Sequence, residues 1–256
     1  MDPRRVLITG AGGQIGSVLR PALRGGLEEL RLSDVEPPAD LVPPETFAAA
    51  DLTDQPAVDR AVAGVDAVVH LGAVSDEAAF DVIAGPNLHG TYHVFEACRR
   101  AGVRRLVYAS STHATGMHLV GTPLDGRAAP RPDGLYGASK AWGEALGQMY
   151  ADKFGLEVVC LRIGCFQPRP RERRELSTWL SHADGVRLVQ AALTADVRFA
   201  VVYGASANTR RWWPPDRDIG FEPRDDAEVY AGELEGPDYA HQGGPNADPA
   251  HGGWAV

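Results

Sequence analysis

The sequence predicts an α/β protein: a doubly wound parallel sheet with helices on both faces and a small C-terminal cap. Three observations predict it. Short apolar runs ending in glycine or a small polar residue alternate with segments of helical periodicity, the pattern of successive βαβ units. Three glycines, each three positions after the last, directly follow the first run. An acid, Asp34, stands at the tip of the second.

Residues 5–9 read as a buried parallel strand closed by Gly10. A helical pattern covers 17–24, a second strand 31–34, a helix 58–62, and another buried strand 66–71 before Gly72. Residues 87–101 are periodic as a helix, 105–110 as a fourth strand, and a polar loop runs to about 134. A long helix over 136–154 and a strand over 158–162 follow. After Gly164 the character changes. Residues 167–174 form a basic loop broken by prolines, with helix-like stretches at 181–193 and 226–234 and one more strand at 199–203. The last twenty residues, rich in Gly, Pro, Asp and His, read as a tail that is ordered only where something docks it. With no internal repeat or linker, the expectation is one domain over 1–256, with its core over 1–165 and a cap and tail over 166–256.

Net charge is −9 over 256 residues, which argues against a nucleic-acid partner. No apolar run approaches the length that spans a bilayer, and the first residues show no signal-peptide pattern. Cys98, Cys160 and Cys165 lack paired spacing and read as reduced thiols. The expectation is a soluble cytoplasmic protein with no membrane partner.

Gly10, Gly13 and Gly16 sit between the first strand and the first helix, where glycines let a pyrophosphate approach the helix N-terminus; the plainer reading is an ordinary βα turn. Asp34 stands where a carboxylate accepts hydrogen bonds from adenosine ribose hydroxyls and repels a 2′-phosphate, which favours NAD over NADP. Asp51 and Leu52, before the second helix, are candidates for adenine contact. Ser110, Ser111, Thr112 and His113 end the fourth strand, facing the crevice in which such sheets bind ligands. Tyr136 and Lys140 lie one helical turn apart. An ammonium beside a phenol favours the phenolate, moving its pKa from about 10 toward neutrality. The chain has only two lysines, Lys140 and Lys153, which sets Lys140 apart from a chance surface pair. His89 and His93, four apart on a helix, lack a third ligand nearby and read as exposed or capping residues, so no metal is expected. Trp212 and Trp213 read as packing of the cap.

The glycine triplet, Asp34, Ser111 and the Tyr136–Lys140 pair, in that order, resemble the extended short-chain dehydrogenase/reductase superfamily, whose core is a Rossmann-type fold. His70 to Ser75, Ser110 to His113, Arg131 to Lys140, Arg162 to Gly164, Leu176 to Ser181 and Tyr203 to Asn208 are similar to the bacterial NAD-dependent uronate dehydrogenase family. The resemblance implies NAD as cofactor, contacted also by Gln14, Ile15, Leu71, Gly72, Ala73, Ser110 and Ile163. It implies a sugar-acid site lined by Ser75, Ser111, Thr112, His113, Tyr136, Cys165 and Arg174, with Arg174 on the C6 carboxylate. The family pattern has Asn in place of Thr112 and Ser in place of Cys165. The implied reaction is oxidation of a cyclic hexuronate at C1 to an aldarolactone, with Tyr136 as base and Ser111 and Lys140 beside it, in a homo-oligomer. Two other readings are a nucleotide-sugar epimerase or dehydratase of the same superfamily, and a catalytically silent NAD-binding sensor.

Overall fold

A computed structural model describes residues 2–215 and 217–251. Seven parallel strands form the sheet: β1 (Arg5–Thr9), β2 (Glu29–Ser33), β3 (Glu45–Phe47), β4 (Ala67–His70), β5 (Arg105–Ser111), β6 (Glu157–Ile163) and β9 (Phe199–Gly204), in the spatial order β3-β2-β1-β4-β5-β6-β9. The short strands β7 (Cys165–Phe166) and β8 (Trp179–Leu180) pair separately. Successive side chains of β1 point to opposite faces, so Val6 and Ile8 join one core and Leu7 the other. The first face is covered by Leu19 and Leu23 of α1 (Gln14–Leu23) and by Leu188 and Val189 of α6 (His182–Thr194). The second is covered by Val58 and Val62 of α2 (Gln55–Val62), by Val94 and Phe95 of α4 (Thr91–Ala101), and by Leu146 of α5 (Leu135–Phe154). A sheet buried on both faces explains why its strands read as unbroken apolar runs.

From β1 the chain moves outward to β2 and β3, then returns to β4 on the other side of β1. That reversal opens a crevice at the carboxyl ends of β1 and β4, where open sheets bind ligands.

The structure departs from the sequence expectations at several elements. The helix expected over 87–101 extends back to α3 (Phe80–Ile83) through a π-helical stretch, Ala84–Gly90, around Gly85 and Pro86. Gly90 passes so close to α2's approach that a Cβ there would lie 2.7 Å from Leu52 Cβ. Edge strand β3 escapes the apolar pattern because its Glu45 is buried against Arg20. The helix expected over 226–234 is a 3₁₀ turn, Ala227–Glu233, and the loop after β5 opens with another, Thr112–Thr115. The tail is docked rather than loose. Val120 N–H donates to Ala240 O, Gln242 N–H to His118 O and Gly243 N–H to Gly116 O, at 2.9, 2.8 and 2.8 Å. Its last five residues, 252–256, lie outside the described residues. No helix among the described residues is long and apolar enough to cross a membrane.

Candidate active site

The glycine turn is built for close approach. Gly10 has φ +66, and a Cβ there would lie 2.6 Å from Gly72 N; one at Gly16 would lie 2.6 Å from Ala11 O. Residues Gly10, Gly13, Gln14, Ile15 and Gly16 share a cavity of about 430 Å³ with Asp34, Asp51, Leu52, Leu71, Gly72, Ala73 and Ser75. Twelve residues expected from scattered parts of the sequence thus line one groove along the switch point. Asp34 is the first residue beyond β2; its carboxylate accepts from Gly12 N–H at 2.9 Å and Val35 N–H at 2.8 Å. Asp51 accepts from Thr53 N–H and hydroxyl, both at 2.8 Å, which lowers its pKa and keeps it anionic in front of α2. Gln14 reaches across the groove, donating to Phe166 O at 3.0 Å.

Tyr136 and Lys140 stand in the first turns of α5, whose N-terminus is capped from another segment. The Glu77 carboxylate accepts from Leu135 N–H at 2.9 Å and Tyr136 N–H at 3.0 Å, and Gly134 leaves room for it. Tyr136 is 8% exposed and lies beside the Ser111 hydroxyl, which lowers its pKa against the effect of burial. Lys140 is buried; its Nζ donates to Ala109 O at 2.9 Å and lies 5.5 Å from the Tyr136 ring centroid. The spacing argument for a phenol moved toward neutrality fails for the protein groups alone. Burial pushes the Tyr136 pKa up to about 12, Ser111 partly offsets it, and Asp76 and Asp133 add to the rise. The ammonium sits against ring faces and a carbonyl rather than on the phenol oxygen. Burial also lowers the Lys140 pKa from 10.5 to about 8. The folded chain releases this proton near pH 8 while an unfolded lysine holds it to about 10.5, so the native state gains stability as pH rises through that window. Lys140→Met is therefore expected to raise stability at pH 7 by on the order of 2 kcal/mol while removing activity, read by urea melts at pH 7 and pH 10. Unaltered stability at pH 7 would contradict it.

Ser110 and Ser111 face opposite ways, as neighbours on a strand must. The hydroxyl expected from Ser110 in the cofactor groove is instead buried and donates to Glu144 Oε1 at 2.6 Å. Only its backbone remains for such a contact. Ser111 is paired in register with Ile163 at the carboxyl edge of the sheet. Thr112 is buried, and its carbonyl accepts from Thr115 at 3.1 Å. His113 Nδ1 lies 2.7 Å from Asp133 Oδ2, and its ring meets the Tyr136 ring edge-on at 5.9 Å between centroids. A carboxylate only accepts, so Nδ1 carries the proton and Nε2 is left to face a ligand. Arg174 Nε and Nη2 both donate to Gln242 O, at 3.0 and 2.7 Å, and Nη1 to Cys165 Sγ at 3.5 Å. Burial pushes the Cys165 thiol pKa up.

Glu77, Asp133 and Gln242 carry no role of their own in the sequence reading. Each acts on a residue twenty or more positions away, so no local spacing marks it. A Cβ on Gly116 or Gly243 would fall on the Asp133 carboxylate, so two separate segments close around it.

The family model for NAD dependent epimerase/dehydratase matches residues 6–184. A uronate dehydrogenase of Pseudomonas putida is 42% identical over 252 residues, covering 94% of each chain. The crystal structure of a glucuronic acid dehydrogenase from Chromohalobacter salexigens superposes with a TM-score of 0.93 at 38% identity, covering 98% of each chain. A mutant uronate dehydrogenase of Agrobacterium tumefaciens, crystallised in complex with NAD, superposes with a TM-score of 0.90 at 41% identity, covering 96% of this chain and 97% of that one.

Proposed function

The chain belongs to the NAD dependent epimerase/dehydratase family, and from that premise we propose that it is an NAD-dependent uronate dehydrogenase, oxidising a cyclic galacturonate or glucuronate at C1 to the aldarolactone. One observation supports the reading most strongly. A buried phenol beside Ser111, with Lys140 behind it, stands three residues after Asp133, whose carboxylate packs against Gly243, next to the Gln242 carbonyl that fixes the Arg174 guanidinium.

The cofactor's binding would fall to Gly10, Gly13, Gly16 and the N-terminus of α1 for the pyrophosphate. Asp34 would hold the adenosine ribose, Asp51 and Leu52 the adenine, and Lys140 the nicotinamide ribose. NAD, when bound, supplies the acceptor for the hydride from C1 and a positive ring near the phenol. Tyr136 takes the anomeric hydroxyl proton, Ser111 donates to the reacting oxygen, and His113 Nε2 accepts from a sugar hydroxyl. Arg174 takes the C6 carboxylate through two parallel charge-assisted bonds. Cys165 sits where the family pattern has serine, and a thiol is a poor hydrogen bonder. Cys165→Ser is therefore expected to lower the KM for uronates several-fold, by roughly 1 kcal/mol of added binding. An unchanged KM contradicts that role.

Residues 166–256 supply the substrate side of the site, and the protein works in the cytoplasm as a homo-oligomer. Trp213 is buried and stacked on Tyr203, as packing of the cap requires. Phe80, Val82, Tyr92 and Trp142, all exposed on α3, α4 and α5, support a subunit contact there. NADH absorbance with galacturonate, glucuronate and UDP-sugars tests the assignment. Signal with a uronate alone is expected; conversion of a UDP-sugar without net NADH, seen by product analysis, would favour the epimerase or dehydratase reading, and no conversion of any sugar the silent sensor.

A further inference from the structure

We infer that residues 242–244 form a strap that aims Arg174, with Gln242 as its positioning residue. The inference rests on the reading of Arg174 as the ligand of the substrate carboxylate. Gln242 is 1% exposed, although it lies in a stretch without periodic pattern near the chain end. Its side chain is anchored at three points: Trp213 Nε1 donates to its Oε1 at 2.9 Å, and its Nε2 donates to Leu119 O at 3.2 Å and Thr122 O at 3.1 Å. Trp213 is itself fixed by stacking on Tyr203, 4.7 Å between centroids and 9° between planes. The backbone carbonyl of the residue so held takes both Nε and Nη2 of Arg174.

The next two residues carry no Cβ, for steric reasons. A Cβ on Gly243 would fall on the Asp133 carboxylate that orients His113. One on Gly244, which has φ +64, would lie 2.8 Å from Arg174 Cδ and Nε. The strap therefore touches the carboxylate-binding and hydroxyl-binding ends of the crevice within three residues. Its effect on Arg174 is specific. With one N–H of Nε, one of Nη2 and one of Nη1 directed at Gln242 O and Cys165 Sγ, each terminal nitrogen keeps one N–H. That side-by-side pair is what a carboxylate accepts with two parallel bonds. Free of the strap, the same guanidinium would sample many rotamers, and fixing it would be charged against substrate binding.

Steady-state kinetics of the full chain with galacturonate, on wild type, Arg174→Ala, Gln242→Ala and the double variant, test this. Gln242→Ala is expected to raise the uronate KM roughly tenfold or more with the KM for NAD unchanged. The double variant is expected to be no worse than Arg174→Ala, because both substitutions remove the same grip. Gly244→Ala, which keeps every Gln242 anchor, is expected to raise the uronate KM in the same way by crowding Arg174. It decides the matter alone if Gln242→Ala does not melt cooperatively. If Arg174→Ala raises the KM while Gln242→Ala and Gly244→Ala do not, or if the losses multiply in the double variant, the strap serves the fold and the inference is overturned. If Arg174→Ala itself leaves the uronate KM unchanged, the reading of Arg174 fails, and the inference with it.

Discussion

Tyr136→Phe is expected to lower kcat for uronate oxidation by about 10³-fold or more while leaving the KM for NAD within about twofold. The substitution removes one oxygen from a side chain that is 8% exposed and packed edge-on against His113, so the wall of the crevice keeps its shape. What disappears is the phenol oxygen proposed to take the anomeric proton next to Ser111. The pH profile makes the test sharper. Protein groups alone hold the Tyr136 pKa near 12, so the wild-type rate should climb with pH across the alkaline range as the phenolate population grows. A positive nicotinamide ring would shift that climb downward without changing its sign. The variant should show a flat remnant. A Tyr136→Phe enzyme retaining more than about a tenth of wild-type kcat would assign the proton transfer elsewhere.

The largest loss of stability is expected from Glu144→Ala, at about 3–5 kcal/mol, or a fall in Tm on the order of 10 °C. Glu144, one turn beyond Lys140 on α5, takes Arg162 Nε at 2.9 Å and Nη2 at 2.8 Å, and the Ser110 hydroxyl at 2.6 Å. Arg162 is 1% exposed on β6 and completes its bonding with Tyr203 OH and Ala128 O. The paired carboxylate raises the Arg162 pKa against the effect of burial. Removing the glutamate strands a buried cation that cannot lose its proton, and such a charge has no inexpensive escape. Glu144→Gln, which keeps the shape and one acceptor, should lose less. Because the pair and Ser110 tie the helix carrying Tyr136 and Lys140 to β5 and β6, kcat should fall along with stability. A loss under about 1 kcal/mol in urea unfolding would mean that water reaches the pair.

Much of this was legible in the sequence for reasons that can be named. Strands buried on both faces give continuous apolar runs, and the turn between the first strand and helix needs glycine where Gly72 and Ala11 press against it. Tyr136 and Lys140 are one turn apart in any helix, so their pairing required no tertiary knowledge. The electrostatic consequence did require it. The same burial that brings the two together lifts one pKa and lowers the other, and the lysine's bond to Ala109 O points its charge away from the phenol oxygen. Residues that hold functional groups in place were equally hidden. Glu77 caps α5 from 58 and 59 residues away, and Gln242 grips Arg174 from 68 residues away. Contacts of that separation leave no periodic trace. Ser110 shows the opposite failure. It has the right residue type at the right strand end, but strand alternation turns its hydroxyl into the Glu144 network.

The central claim is oxidation at C1 of a free hexuronate, and product analysis tests it most directly. Galacturonate incubated with the enzyme and NAD, followed by NMR alongside NADH absorbance, should yield one aldarolactone for each NADH formed. A uronate converted to an epimer or dehydrated sugar without net NADH, or left untouched while a UDP-sugar reacts, would contradict it.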